Sequence, residues 1–373
     1  MKKTFLLSVS IMGCIFILLS SCKKKSDTVV TNLNDQIVAQ WEKVSDSILA
    51  TSKIPGMLIG IWAPDRNLVW VRGKGKSNTA TGEKPDSSMK FRIGSITKTY
   101  TYTVLLQLVD EGKIKLTDTL SKFMPDFPKA DSITIRMLCN HTSGIFDYTS
   151  TTEFANTLMT QPLKKWTSQE LIDLVKTYPF YFSPGTNFEY SNTNTIIAGK
   201  IVEQITGNPV VSEIQRRVLA SLDLVNTIYP ADNIIPGHFI HGYGWSDTDT
   251  TDVAEAYDPS MAGCAGAMIA DIYDLKYWVE QLYQGSLLSA ATQAQRLTVV
   301  PAPGEDCEDY GLGIMHKINP PMWGHTGTIP GYKNWAGYCP TKNVTIVISY
   351  NATSSKPMVL ACRLMNIYLG AVK

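Results

Sequence analysis

Apolar residues at positions 37, 38, 41, 44, 48 and 49 recur at three- and four-residue spacing, the period of a helix with one buried face, and Asn34 stands where a cap belongs. Pro55-Gly56 stops this helix. Two β-rich runs follow, residues 57–62 and 68–72, joined by Pro64-Asp65-Arg66-Asn67, whose residue types favour a turn. The pattern returns near the other end: residues 334–339 and 344–350 predict a second hairpin around residues 340–343, and a closing helix is expected over about 357–369 with Ser355 as its cap.

Between these ends the chain reads mostly as helix. Thr167-Ser168-Gln169-Glu170 is a capping box, residues 195–206 carry a long helical pattern ended by Gly207-Asn208-Pro209, and another helix is expected over about 271–283. Residues 91–94 read as extended and end in glycine, and the apolar run 104–109 ends at Gly112, giving strand, turn and buried helix. One stretch conflicts: residues 99–103 alternate Thr and Tyr, which by period and propensity is a strand. The chemistry at its N-terminal side, described below, decides for a helix. The expected architecture is α+β, a sheet drawn from both ends of the chain and flanked by helices, with an all-helical lobe inserted. Its expected boundaries are residues 34–110 and 255–373 for the α/β lobe and 111–254 for the helical one.

The first residues change the picture of where the protein works. Met1-Lys2-Lys3 is a basic start, residues 5–19 are apolar, and Leu19-Ser20-Ser21-Cys22 follows. This resembles a bacterial lipoprotein signal, 1–21, cleaved before a lipid-bearing Cys22, with residues 22–33 as a tether; a plain signal peptide or an N-terminal anchor is the alternative. Each implies export, and the lipoprotein reading implies a periplasm-facing membrane of the cell envelope. Cleavage would remove Lys2 and Lys3 and no acid, so 34 basic residues fall to 32 against 33 acidic ones, a formal charge of −1. No global basic field exists, so a nucleic-acid partner is not expected, and Lys23-Lys24-Lys25 fits a solvated tether at a membrane surface. With 44% hydrophobic and 18% charged residues, disorder is not indicated. Of seven cysteines, Cys14 and Cys22 fall in the signal region, and the spacing of Cys139, Cys264, Cys307, Cys339 and Cys362 matches no zinc set or dense disulfide framework. No cofactor or metal is expected.

Three short motifs carry the chemistry: Ser95-Ile96-Thr97-Lys98, Tyr190-Ser191-Asn192 and His325-Thr326-Gly327. A serine hydroxyl is a poor nucleophile at neutral pH until a base takes its proton. On a helix, residues three apart share a face, so Lys98 is delivered beside Ser95, and burial would depress its pKa enough to make it a base. Ser-x-x-Lys alone is weak, because Ser87-Ser88-Met89-Lys90 also matches; Ser95 is favoured by its strand–turn–helix context. Tyr190, on a loop entering the helix predicted from Thr195, can relay a proton to a leaving group, and Asn192 can fix Lys98 or a substrate amide. Gly324-His325-Thr326-Gly327-Thr328 reads as the start of an edge strand where small residues let a substrate backbone approach, with the Thr328 and Ser95 N–H groups as candidate oxyanion donors. Alone, the Tyr190 segment reads as an ordinary surface loop, and the segment 324–328 reads equally as a plain strand start.

In combination, the order and spacing resemble the serine β-lactamase and penicillin-binding family, in its class C and D-alanyl-D-alanine carboxypeptidase branch. The resemblance extends through residues 91–98, 106–116, Cys139-Asn140-His141-Thr142-Ser143-Gly144, 184–194, 266–275, 310–313 and 324–332. His-Thr-Gly in place of the Lys-Thr-Gly usual in the β-lactamases looks more like the Streptomyces-type carboxypeptidases. The resemblance implies a β-lactamase/transpeptidase-like fold, an antiparallel sheet flanked by helices with a helical lobe and the site in the cleft between them. It implies an acyl-enzyme on Ser95, proton transfer by Lys98 and Tyr190, and substrate held by Asn192, His325, Thr326, Gly327 and Thr328. Its partners would be a small acyl or D-Ala-D-Ala-type peptide, with β-lactams as covalent ligands. Two departures touch specificity: Met315 stands near where a basic residue would hold a terminal carboxylate, a role His316 or Lys317 could take, and Met261 stands where an aromatic is expected.

Other chemistry lacks its motif. No Gly-x-Ser-x-Gly elbow and no His-Glu-x-x-His helix is present. His141 reads as a structural turn residue, and His238 and His241 as loop residues without a ligand cluster. A carboxypeptidase-type penicillin-binding hydrolase is therefore the first expectation, a β-lactamase or esterase on the same residues the second, and an envelope sensor whose acyl-enzyme does not turn over the third.

Overall fold

The computed structural model describes Met1 and residues 32–244, 251–304 and 308–371. By its contacts the chain divides into residues 1–32 and 33–373, and every helix and strand among the described residues lies in the second. The expected signal, Cys22 and Cys307 lie outside the described residues.

In chain order the elements are α1 (Leu33–Thr51), β1 (Gly56–Ala63), β2 (Leu68–Gly75), β3 (Phe91–Arg92) and α2 (Thr97–Asp110). Helices α3 (Ile135–Cys139), α4 (Thr152–Thr160), α5 (Ser168–Asp173), α6 (Asn192–Thr206) and α7 (Val210–Ile214) follow. Then come β4 (Ile269–Ala270), α8 (Ile272–Gln284), α9 (Ala290–Arg296), β5 (Val300–Pro301), β6 (Asp309–Tyr310), β7 (Met315–Lys317), β8 (Met322–Ile329), β9 (Tyr332–Cys339), β10 (Val344–Tyr350) and α10 (Pro357–Ala371).

The two predicted hairpins share one sheet. Its order is β2-β1-β10-β9-β8-β7-β6-β5, antiparallel throughout, and β1 meets β10 from Met57↔Tyr350 to Trp62↔Thr345. Strand alternation assigns the two faces. Met57, Ile59 and Ile61 join Trp41 of α1 and Leu360 and Leu364 of α10 in one core, while Leu58, Trp62 and Val347 join the second core with α2 and α8. Each fully buried side chain of this size contributes about 1.5–3 kcal/mol. Gly60 leaves room for that second face, since a Cβ there would stand 2.2 Å from the Trp62 ring.

The Thr/Tyr alternation of residues 99–103 is helix, within α2. Every one of those five side chains is buried, which removes the amphipathic strand option and lets tertiary contacts decide. Thr99 and Thr103 hydroxyls bond back to the Ile96 and Thr99 carbonyls (2.7 and 2.6 Å), Tyr100 stacks on Trp278 at 4.1 Å, and the Tyr102 hydroxyl reaches the Leu138 carbonyl at 2.9 Å.

Three local expectations are corrected. Asn34 lies inside α1 rather than before it, and its amide binds the β1–β2 turn at Arg66 in both directions (Nδ2 to the carbonyl, 3.1 Å; Oδ1 from Nε, 2.9 Å). Ser355 donates to the Ser52 carbonyl at 3.2 Å, tying α10 to the end of α1. Strand β8 is interior through Gly324, the last residue registered with β7, and only from His325 onward does it lack a β7 partner among the described residues.

Candidate active site

Gly94 and Gly327 bring a turn and a strand into backbone contact. Gly94 has a left-handed φ of +53°, and a Cβ there would lie 2.7 Å from the Thr328 nitrogen. A Cβ on Gly327 would lie 1.9 Å from the Ile93 carbonyl oxygen. The absence of both side chains therefore sets Ser95, in the 3₁₀ turn Gly94–Ile96 that leads into α2, beside residue 328 of β8. The expected oxyanion donors, the Ser95 and Thr328 N–H groups, belong to these two adjoining segments.

One turn after Ser95 and second in α2, Lys98 is fully buried and its Nζ makes three contacts: Ser95 Oγ (2.9 Å), Asn192 Oδ1 (2.6 Å) and the Ala265 carbonyl (2.7 Å). The last two oxygens can only accept, so the single contact able to reverse direction is the one with Ser95. Burial pulls the Lys98 pKa down to about 7, against an opposing pull from the Asp147 charge. A neutral Lys98 can thus keep two N–H bonds and accept the proton of Ser95.

Asn192 is the first residue of α6, so that helix begins before the predicted Thr195. Its Nδ2 donates to Asp147 Oδ2 at 2.9 Å, which together with the Lys98 contact fixes the orientation of the amide. Burial raises the Asp147 pKa, while its bonds from Thr149, the Lys98 charge and Asn192 oppose the shift. Asp147 is a site residue that the sequence motifs do not reveal: it lies 45 residues from Asn192, outside any periodic pattern. Tyr190 places its ring centroid 5.1 Å from Lys98 Nζ.

A cleft of about 1120 Å³ opens over these groups. Ser95, Tyr190, Asn192, Thr326 and Thr328 line it, together with an apolar wall that includes Tyr148, Phe154, Leu158, Met159 and Met261. His325 and Gly327 do not line it, because successive side chains of β8 alternate. Of the four residues 325–328 expected to hold substrate, the structure brings Thr326 and Thr328 to the cleft and sets His325 and Gly327 behind them. His325 is fully buried; its Nδ1–H donates to the Thr326 carbonyl (2.6 Å) and its Nε2 accepts from the Tyr310 hydroxyl (2.8 Å), a tautomer assigned from those partners. Burial holds its pKa down to about 3, so it is neutral.

The remaining candidates are occupied elsewhere. His316 pairs with Asp309 (3.2 Å) and stacks on Trp323, and Lys317 pairs with Glu308, so neither reaches the cleft beside Met315. Ser87, of the second Ser-x-x-Lys, lies in a loop and accepts from the Tyr273 hydroxyl at 3.3 Å. His238 and His241 pair with Glu83 (3.0 Å) and Asp252 (2.5 Å), and no metal-holding cluster occurs among the described residues.

A nucleophile with a buried lysine beside it, set between an antiparallel sheet and helices, is the framework of a serine hydrolase. The Beta-lactamase family model matches residues 35–366, and the chain belongs to that family. Among its relatives, Protein flp of Staphylococcus aureus (strain N315) is 26% identical over 362 residues, 95% of this chain and 71% of that one. Among solved structures, a D-stereospecific amidohydrolase from Streptomyces sp. is 30% identical, covers 84% of this chain and 94% of its own, and superposes with a TM-score of 0.76. The D-amino acid amidase from Ochrobactrum anthropi SV3, solved with D-phenylalanine, shares the fold at 23% identity and a TM-score of 0.80 over 90% of this chain and 99% of its own.

Proposed function

We propose that the protein hydrolyses amide bonds through an acyl-enzyme on Ser95, and that its preferred substrates carry no carboxylate next to the scissile bond. One observation carries the acylation step: Lys98 Nζ is 2.9 Å from Ser95 Oγ, while burial brings its pKa to about 7. Lys98 takes the hydroxyl proton as Oγ bonds to the acyl carbon, and the Ser95 and Thr328 N–H groups receive the oxyanion. The C–N bond then breaks, its nitrogen taking a proton from Lys98 through Tyr190. Water attacks the ester carbon as Lys98 accepts its proton, and Lys98 then returns a proton to Ser95 Oγ as the acyl C–O bond breaks, restoring the hydroxyl and the neutral amine.

Charge directs the substrate reading. Among the described residues no Lys, Arg or His lines the cleft, and its one charged lining residue, Glu189, has no ion-pair partner. A D-Ala-D-Ala carboxypeptidase would have to hold a carboxylate there without a cation. That activity, β-lactam hydrolysis and ester hydrolysis are the second readings on the same residues, and an acyl-enzyme that is not released would make the protein a sensor. The similarity to a D-stereospecific amidohydrolase supports the amide reading. The pattern around Cys22 supports a lipid-anchored protein of the cell envelope.

The test is a panel of D-phenylalanine amide, a peptide ending in D-Ala-D-Ala, a chromogenic cephalosporin and a short-chain ester, with Ser95→Ala as control. The amide is expected to turn over fastest; faster release of terminal D-Ala would restore the carboxypeptidase. Glu189→Lys should shift the amide-to-carboxylate rate ratio toward the carboxylate by roughly threefold to tenfold, the scale of an exposed charge reversal. An unchanged ratio would remove Glu189 from the argument. Acylation should rise tenfold per pH unit below about 7 and level off above it, because the base form of Lys98 fills over that range. A flat profile from pH 5 to 9 would exclude Lys98 as the base.

A further inference from the structure

His141 contacts the Tyr190 loop at three points. Its carbonyl accepts the N–H of Glu189 (3.1 Å) and its Nδ1 accepts that of Ser191 (3.3 Å), so the N–H groups of the residues before and after Tyr190 end on one residue. The imidazole also lies against the phenol ring, with centroids 4.3 Å apart and planes 31° apart. A fourth contact anchors the brace to α6: Asn194 Nδ2 donates to the same Nδ1 at 3.2 Å, while Asn194 Oδ1 accepts from the Ser143 hydroxyl at 2.6 Å.

Two N–H groups directed at Nδ1 place the ring proton on Nε2. That atom is buried and has no hydrogen-bond acceptor among the described residues, and the Tyr310 ring stands nearly perpendicular to the imidazole at 4.9 Å. A turn residue alone would not need this arrangement. The φ of +58° at position 141 is one that asparagine or glycine also adopts, whereas a buried, unbonded N–H is destabilising. The imidazole is retained in a place where its turn-forming conformation is available to smaller, cheaper side chains.

We infer that His141 is the positioning residue of Tyr190, fixing the backbone on both sides of it and supporting its ring beside Lys98. This rests on the reading that Tyr190 moves protons during turnover at Ser95. Neutrality is part of the arrangement: burial, the Lys98 charge and His325 hold the imidazole well below its ordinary range, so it adds no second cation beside the base.

The test compares His141→Ala with His141→Asn, which keeps an acceptor near the Nδ1 position and suits left-handed backbone but lacks the ring. Amide hydrogen exchange across residues 186–192 is measured together with kcat and KM for D-phenylalanine amide. In the alanine variant the Ser191 amide, which loses its Nδ1 acceptor, should exchange faster, and kcat should fall by about 10- to 100-fold, the scale of a misplaced reacting group, with KM within about threefold. In the asparagine variant exchange should slow again and kcat should recover in part, with the pH midpoint near 7 unmoved in both. Unchanged exchange in a folded alanine variant, or faster exchange with wild-type kcat, would overturn the inference. If the wild type turns over no substrate in the panel, the hydrolase reading fails separately, and the exchange comparison still decides whether His141 braces the loop.

Discussion

Lys98→Met is expected to lower the rate of Ser95 acylation by about 10²- to 10⁴-fold, the range for loss of a general base. Lys98 is the only basic side chain bonded to Ser95 Oγ among the described residues, and the neutral His325 is bonded to Tyr310 and Thr326 instead. Methionine suits the buried position and removes the charge that burial penalises, although it leaves Asn192 Oδ1 and the Ala265 carbonyl without their donor. The variant should therefore fold while losing its chemistry. Mass spectrometry of the intact protein during incubation with a slow acylating substrate reads the rate directly. Ser95→Ala should form no adduct, and an adduct on Lys98→Met at the wild-type rate would show that another group takes the proton.

Gly327→Ala should lower kcat by about 10²- to 10³-fold with KM much less affected, as removal of an oxyanion donor does. The added methyl would meet the Ile93 carbonyl oxygen at 1.9 Å and the Ile96 side chain at 3.3 Å. Both neighbours lie in the segment that carries Ser95, so relief of the clash separates that segment from β8 and moves the Thr328 N–H away from it. Gly370→Ala is the matched control, because a Cβ there meets nothing within 4 Å. Circular dichroism should report native folding for both. A Gly327→Ala protein with wild-type kcat would disconnect the β8 contact from catalysis.

Much of the scaffold is readable from pattern alone, and the exceptions have physical causes. The apolar spacing of α1 and the alternation in the two hairpins name their elements, but β1 and β10 are buried on both faces, and such runs identify strands without identifying partners. Residues 99–103 mislead because period measures exposure, and every side chain there is buried. At the site, Ser95 and Lys98 are legible because a three-residue spacing on a helix brings them together without help from the rest of the fold. Asp147 is illegible for the converse reason: only tertiary structure brings it to Asn192. The separation of Thr326 and Thr328 from His325 and Gly327 follows from the two-residue period of a strand, a rule the sequence already contains once β8 is recognised.

The sheet closes with the last strand the chain makes. Gly56 N–H donates to Asn351 Oδ1 at 2.7 Å across 295 residues, and Trp41 Nε1–H donates to the Leu364 carbonyl at 3.0 Å across 323. During synthesis, α1 can pack on β1 and β2, but the other edge of β1 and the surface of α1 that meets α10 have no partners until β10 and α10 are complete, and contacts of such separation are slow to form. A nascent chain stopped before residue 344 can carry every motif of the cleft and still lack the strand that joins β1 to β9. Completion of the polypeptide and assembly of the catalytic framework are thereby joined in a single late step.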